Sequence, residues 1–311
     1  MTSCIVPPPD IPPPPPARAG LCEVGPHRIA YLAHNEHLLA DHSLTPIVFV
    51  HGLSMSVRFW ELAMLPSICE RLPWYSVSLP LHHPSTYDGD VASLELTEEA
   101  FAKTCQAAVQ HLVGERSVRL VGHSVGGFTA LAFAVHFPQQ CAAVMSIGGF
   151  AQGSAEGLRG SLDFLRLSGK LGERTFKAIW GLQQRSRWFM GRLVRQYAAD
   201  RSALLRYPFF QPTLDAVYPD VKLHDLDGQL ALVRSLLQLD VLDDAHQVNC
   251  PVRVVAGSLD PVVGFEHQRR IAGYYPKGEL HVLQGAGHLG FAERPREFNA
   301  LLERFAFTKD S

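Results

Sequence analysis

SVRLVGHSVGGFTALAF, Ser117 to Phe133, is the stretch on which the reading of this chain turns. Val118 to Val121, apolar but for Arg119, is a run of the length of a buried strand, and Phe128 to Val135 continues as a helical run of small and apolar residues. Gly122-His123-Ser124-Val125-Gly126 therefore falls on the turn between them. A serine on a sharp strand-to-helix turn, with glycine two residues to either side, has the form of a nucleophile elbow. Such a turn strains its central residue, and side chains at the two glycine positions would strike the neighbouring strand and helix. The strain exposes the Ser124 hydroxyl above the sheet edge, beside the backbone N–H of Val125 at the start of the helix. The bare pattern recurs by chance wherever glycine is common. The strand before it and the helix after it separate it from an ordinary glycine-rich turn.

Upstream, Gly20 to His34 alternates as a hairpin with Gly25-Pro26 at its turn, and Pro46 to Val50 is a β-branched apolar run suited to a central parallel strand. That strand ends in His51-Gly52-Leu53-Ser54. Glycine there lets the backbone turn so that the Leu53 N–H points into the space above the sheet, where it would complement Val125 as the second donor of an oxyanion hole. Trp60 to Arg71 reads as a helix, Trp74 to Leu79 as a strand, and Leu94 to Val113 as a helix leading to the elbow. His82 and His83 lack a third ligand at metal spacing and are read as loop histidines at the rim of a cleft.

Downstream, Cys141 to Ile147 is the next strand, and from Ala151 to about Leu239 helical patterns dominate. Within this insertion Thr175 to Ala199 is rich in Trp180, Trp188, Phe189 and other apolar residues, interleaved with arginines that read as a solvated face. So apolar a segment must cover something, and a helical lid over an apolar cleft is the expectation; an ordinary packed helix pair is the plainer alternative. Val252 to Gly257 and Glu279 to Leu283 return as strands, and Pro295 to Phe305 closes the chain as a helix. Strands alternating with helices specify an α/β fold, a mostly parallel central sheet with helices on both faces, with residues 20–150 and 246–311 as its core and 151–245 as the inserted helical cap. In such sheets functional groups gather beyond the carboxyl ends of the strands, and Leu53, Ser124, Asp260 and His288 all lie there.

A serine hydroxyl becomes a competent nucleophile when a base removes its proton, and neutral imidazole does this near pH 7. His288, in a glycine-flanked loop after the last strand, is the expected base, and Asp260 would hold its tautomer and stabilise the imidazolium. Asp240, Asp243 and Asp244 precede the Val252 strand and read instead as caps or surface residues. HGLS, GHSVGG, GSLDPVV and GAGHLGFAERPREF, in the order Ser124, Asp260, His288, resemble the α/β-hydrolase superfamily over Gly20 to Phe307. The resemblance is to its serine esterases and acyl hydrolases with a helical cap, and it implies neither metal nor organic cofactor. Serine at the nucleophile position separates the chain from the epoxide hydrolases and haloalkane dehalogenases of that superfamily. One departure is Pro80-Leu81-His82-His83-Pro84-Ser85, where members commonly show a turn resembling PGHGxS.

The resemblance implies hydrolysis of an ester, thioester or lactone of a small apolar acyl-containing substrate, through an acyl-enzyme. Acyl transfer and C–C bond hydrolysis use the same residues, and a non-catalytic receptor on the same fold is the alternative of another class. His51, Trp180, Trp188 and Phe189 are the expected substrate contacts. At 311 residues and 47% apolar content the chain can bury a large core, and a formal charge of −2 gives no reason to expect nucleic acid or an anionic membrane as partner. No apolar run approaches the length of a membrane span. The six cysteines are scattered without CxxC pairing, as in a reduced cytoplasmic protein. Residues 1–19, with PPPDIPPPPP, read as an extended tail, with a polyproline II ligand as the alternative.

Overall fold

The computed structural model describes residues 17–153 and 169–308. Nine strands form one sheet: β1 (Arg18–Val24), β2 (His27–His34), β3 (Ile47–Val50), β4 (Trp74–Val77), β5 (Thr86–Tyr87), β6 (Val118–His123), β7 (Cys141–Ile147), β8 (Val252–Gly257) and β9 (Gly278–Leu283). Their order is β1-β2-β4-β3-β6-β7-β8-β9, with β5 paired to β2. The pairs from β4 to β9 are parallel, and the β1-β2 hairpin is joined antiparallel to β4. The described α-helices are α1 (Pro66–Arg71), α2 (Glu98–Val113), α3 (Val125–His136), α4 (Gly169–Arg185), α5 (Arg187–Val194), α6 (Arg201–Arg206), α7 (Phe210–Val221), α8 (Leu226–Leu236), α9 (Phe265–Tyr274), α10 (Gly290–Glu293) and α11 (Pro295–Phe307).

The central strands are largely apolar because both faces are covered, and buried exceptions are partnered, as where Arg119 Nε of β6 donates to Phe305 O at 3.1 Å. In β3 the alternation sends Val48 and Val50 to a core shared with α2, α3 and α9, and Ile47 and Phe49 to a second core shared with α1 and α11. All four side chains are buried. The expected α/β architecture with a mostly parallel sheet is the one observed.

Several boundaries differ from expectation, among them the helix expected from Leu94, which starts at Glu98 with the Thr97 hydroxyl as its cap. The helix expected over Trp60 to Arg71 is confined to Pro66–Arg71: proline, with no N–H to contribute, sits in its first turn, and Trp60 stays in the turns before it, packed into the core. β1 starts at Arg18, inside the expected tail, where the Arg18 guanidinium is held by Glu36 and the Tyr31 hydroxyl. The segment Thr175 to Ala199 is broken at Ser186, whose hydroxyl accepts the Phe189 N–H and starts α5.

The inserted segment leaves and rejoins the core at one place. Gln152 and Asp240 form an isolated antiparallel bridge, flanked by Val241 N–H to Ala151 O at 3.0 Å and Gly153 N–H to Leu239 O at 2.8 Å. A side chain at Gly153 would stand 1.9 Å from the Leu236 carbonyl oxygen, so the two feet are in backbone contact. Asp240 accepts from Gln152 Nε2 at 2.6 Å, a joint in the chain rather than a catalytic acid.

Candidate active site

Ser124 joins β6 to α3 with φ 56° and ψ −117°, a left-handed conformation that an L-residue adopts only under constraint. The constraint comes from the adjacent backbone. A Cβ at Gly122 would lie 2.0 Å from the Gly126 carbonyl oxygen, and one at Gly126 would lie 2.4 Å from that of Val50 and 2.5 Å from that of His51. The elbow is thus pressed against the end of β3, and both glycines are required. Ser124 does not cap α3 with its side chain, so its hydroxyl is not spent on the helix. Val125 opens α3, where the N–H has no intrahelical acceptor.

His288 Nδ1 lies 2.9 Å from Asp260 Oδ2, both side chains buried. Since a carboxylate oxygen only accepts, the proton is on Nδ1 and the Nε2 lone pair is free to take another. The imidazole's backbone is fixed as well: His288 N–H donates to Tyr197 O at 2.9 Å, and His123 Nε2 donates to His288 O at 3.1 Å. Asp260 is held through Oδ1 by the N–H groups of Val262 and Val263, at 2.8 and 3.0 Å, and through Oδ2 by Gln268 Nε2 at 3.0 Å. Burial pushes the Asp260 carboxyl up, but the His288 charge and hydrogen bond and the two N–H donors outweigh it and leave it below the usual carboxylate range. Gly148, at the end of β7, makes room for the pair, since a Cβ there would sit 3.0 Å from His288 Nδ1.

Ser124 and His288 open on one cavity of about 460 Å³, roofed by the inserted helices and floored by the strand ends. Leu53 and Val125 line it beside Ser124; Phe176 and Trp180 of α4, and Phe298 and Leu302 of α11, supply apolar wall. Among the described residues no lysine, arginine, aspartate or glutamate lines it.

Of the four expected substrate contacts, only Trp180 is on the cavity wall. His51 is buried elsewhere: Nδ1 donates to Gly52 O at 2.8 Å, and Nε2 accepts the Leu79 N–H at 3.2 Å beside the Ser78 hydroxyl. Desolvation pushes its pKa down to about 3, so it is a neutral structural group. Trp188 is 65% exposed under the Arg192 guanidinium, and Phe189 is half-buried away from the cavity. Both lie on the far side of a short helix whose buried residues are Met190, Gly191 and Val194.

His82 is likewise not a rim residue. It is buried with Nδ1 on Pro80 O at 3.0 Å and Nε2 accepting the Ser54 N–H at 3.1 Å, while His83, half-buried, donates its N–H to His224 Nδ1. Among the described residues no cluster of histidine, cysteine and acidic side chains could hold a metal ion. Gln268 was not singled out in the sequence, where only its place on the helix after the Asp260 loop could have pointed to it. Phe298 and Leu302 lie on the expected closing helix, whose sequence carries no sign that it reaches the cavity.

Residues 47–301 match the alpha/beta hydrolase family. A 2-hydroxy-6-oxo-2,4-heptadienoate hydrolase of Pseudomonas putida is 27% identical over 285 residues, 85% of this chain and 90% of the relative. Among solved structures, the hydrolase MGS-M2 from a Medee basin deep-sea metagenome superposes with a TM-score of 0.75 at 18% identity, over 94% of this chain and 98% of that one. The enol-lactonase of Burkholderia xenovorans LB400 gives a TM-score of 0.70 at 13% identity, over 93% of this chain and all of its own.

Proposed function

The chain belongs to the alpha/beta hydrolase family, and on that premise we propose that it is a serine hydrolase of neutral, largely apolar esters, thioesters or lactones. The observation that carries the reading is the buried His288–Asp260 pair, with Nδ1 committed to the carboxylate, on the same cavity as a serine held at positive φ. In this reading His288 Nε2 takes the Ser124 proton as the hydroxyl oxygen attacks the carbonyl carbon. Asp260 keeps the imidazole in the tautomer that can do so and stabilises the imidazolium. The N–H groups of Leu53 and Val125 meet the developing oxyanion. Collapse expels the alcohol or thiol, which takes its proton from His288. Water, deprotonated by the same imidazole, then releases the acid.

The inserted helices act as the lid of this site, keeping bulk water from an apolar substrate. A neutral substrate is favoured over a dienoate such as the one that names the Pseudomonas relative. A carboxylate buried in the cavity would have no lysine or arginine to pair with among the described lining residues, and an unpaired buried charge is costly. Intact-mass analysis after exposure to a fluorophosphonate tests the proposal. One adduct on the native protein, mapped to Ser124 and absent from a folded Ser124→Ala variant, is the expected result; a folded native protein without an adduct overturns it.

A further inference from the structure

The inserted helices do more than roof the cavity: they hold the loop that carries Leu53. Ser54, the next residue, has φ 59°, and Leu81 on the neighbouring loop has φ 61°. Non-glycine residues keep such angles only where their surroundings enforce them. Around Ser54 side chains add to a local backbone turn. Its N–H donates to His82 Nε2 at 3.1 Å, and its Oγ accepts from Trp180 Nε1 of α4 at 2.8 Å. His82 can accept there because its own proton is on Nδ1, donated to Pro80 O at 3.0 Å. The Leu81 carbonyl accepts from Gln229 Nε2 of α8 at 2.8 Å. Met55 O accepts from His224 Nε2, between α7 and α8, at 2.9 Å.

The peptide that matters is Gly52–Leu53, whose N–H is the second oxyanion donor in the proposed reaction and whose Leu53 lines the cavity with Ser124. Its carbonyl is held by His51 Nδ1 at 2.8 Å and by the Met55 N–H at 3.3 Å, which fixes the plane from the opposite edge. The Met55 contact closes a turn that has Ser54 inside it, so the direction of the Leu53 N–H depends on Ser54 keeping its left-handed angle. Trp180 is itself seated by stacking on the buried Phe176, ring centroids 4.0 Å apart at 22°.

We propose that Trp180, through its hydrogen bond to Ser54, is a positioning residue for the Leu53 N–H, so that the second oxyanion donor is aimed only while α4 is seated on the core. This rests on the serine-hydrolase reading, in which that N–H stabilises the oxyanion. Lifting α4 withdraws the Trp180 N–H and frees the turn at Ser54, which couples closure of the lid to completion of the oxyanion hole.

The test uses the full-length protein and a neutral aryl ester. Trp180→Phe keeps an aromatic ring against Phe176 and deletes the donor together with part of the indole; Ser54→Ala deletes the acceptor and leaves the indole whole. Each is expected to lower kcat about tenfold, a fraction of what loss of a whole oxyanion donor costs, with KM within about twofold of the native value. The double variant is expected to lose no more than either single one. A raised KM with native kcat in Trp180→Phe makes the indole a plain wall and overturns the inference, as do losses that multiply in the double variant. Should Trp180→Phe not fold, Ser54→Ala decides alone, and a native kcat overturns the inference. Absence of a fluorophosphonate adduct on native Ser124 overturns the underlying reading and the inference with it. An adduct with normal labelling rates in both single variants overturns only the inference.

Discussion

Two serines in this molecule hold the same unfavourable backbone angle by different means. Ser124 has φ 56° and Ser54 has φ 59°. At the elbow the constraint is local backbone: β6 runs straight into α3, and the close approaches at Gly122 and Gly126 leave the turn no other path. At the HGLS loop a local turn, closed by Met55 N–H to Gly52 O, is pinned by remote side chains: His82 and Trp180, the latter 126 residues away, hold Ser54 by its N–H and its hydroxyl. A conformation enforced by neighbouring backbone is rigid and leaves a mark in the sequence. One enforced by distant side chains depends on the whole tertiary structure and can be released.

The largest expected effect breaks the comparison at its rigid end. Gly122→Ala puts a methyl group 2.0 Å from a backbone oxygen that cannot move without displacing α3, so a loss above about 4 kcal/mol, or no folded protein, is expected in urea titration. Ser54→Gly, at the other serine, relieves the angle but loses the Trp180 hydrogen bond, opposed terms of about 1 kcal/mol each, so stability is expected to change by less than about 1 kcal/mol. Similar costs at the two sites would show that both turns are enforced in the same way.

Acid acts on both regions. Burial pushes His51 and His82, which hold the HGLS side, and His123, beside Ser124, down to about 3. In the unfolded chain all three titrate near the ordinary histidine value of about 6.5. A folded pKa below the unfolded one means that the unfolded state takes up protons first as pH falls. Stability is therefore whole above about pH 6.5 and is lost progressively toward pH 3, at about 1.4 kcal/mol per histidine per pH unit. The urea midpoint is expected to drop between pH 7 and pH 5, and His82→Gln, with one such group fewer, to flatten the slope. A midpoint independent of pH over that range would mean that these imidazoles are not buried neutral. Asp260 adds to the fall only at lower pH: its depressed carboxyl contributes stability above the ordinary aspartate value, lost as pH falls through its folded pKa.

The smallest effect belongs to a residue outside both regions. Trp188→Ala removes an aromatic ring that is 65% exposed and off the cavity wall, so kcat and KM on the aryl ester are expected to stay native and stability to change by less than about 0.5 kcal/mol. A raised KM would put the ring back among the substrate contacts, in a conformation where α5 turns inward.

Much of the fold was legible because its signals are short-range. Short β-branched, largely apolar runs such as Ile47–Val50 and Val118–Val121 read as central strands, and the glycines at 122 and 126 sit next to the strain they permit. Asp260 and His288 could be singled out because each follows a strand in a fold that gathers strand ends. Side chains whose role depends on a partner elsewhere were not legible. His51 and His82 had nothing around them in sequence to reveal buried backbone partners. Trp180, Trp188 and Phe189 are alike in composition and close in sequence, and only the packing of α4 and α5 sorts cavity wall from surface.

The sequence by itself determined a parallel α/β sheet, a serine on a strained strand-to-helix turn, and the order in which an acid and a histidine follow it. Chain connectivity and hydrophobic periodicity act over a few residues, and a reader of the chain can follow them. Only the tertiary structure decided that Gly148 is small to admit the His288–Asp260 pair, that the cavity wall carries no charge among its described residues, and that the inserted helices grip the Leu53 loop through Trp180. Those outcomes depend on distances between groups far apart in the chain, which the packing of the core and the inserted helices sets and no local pattern records.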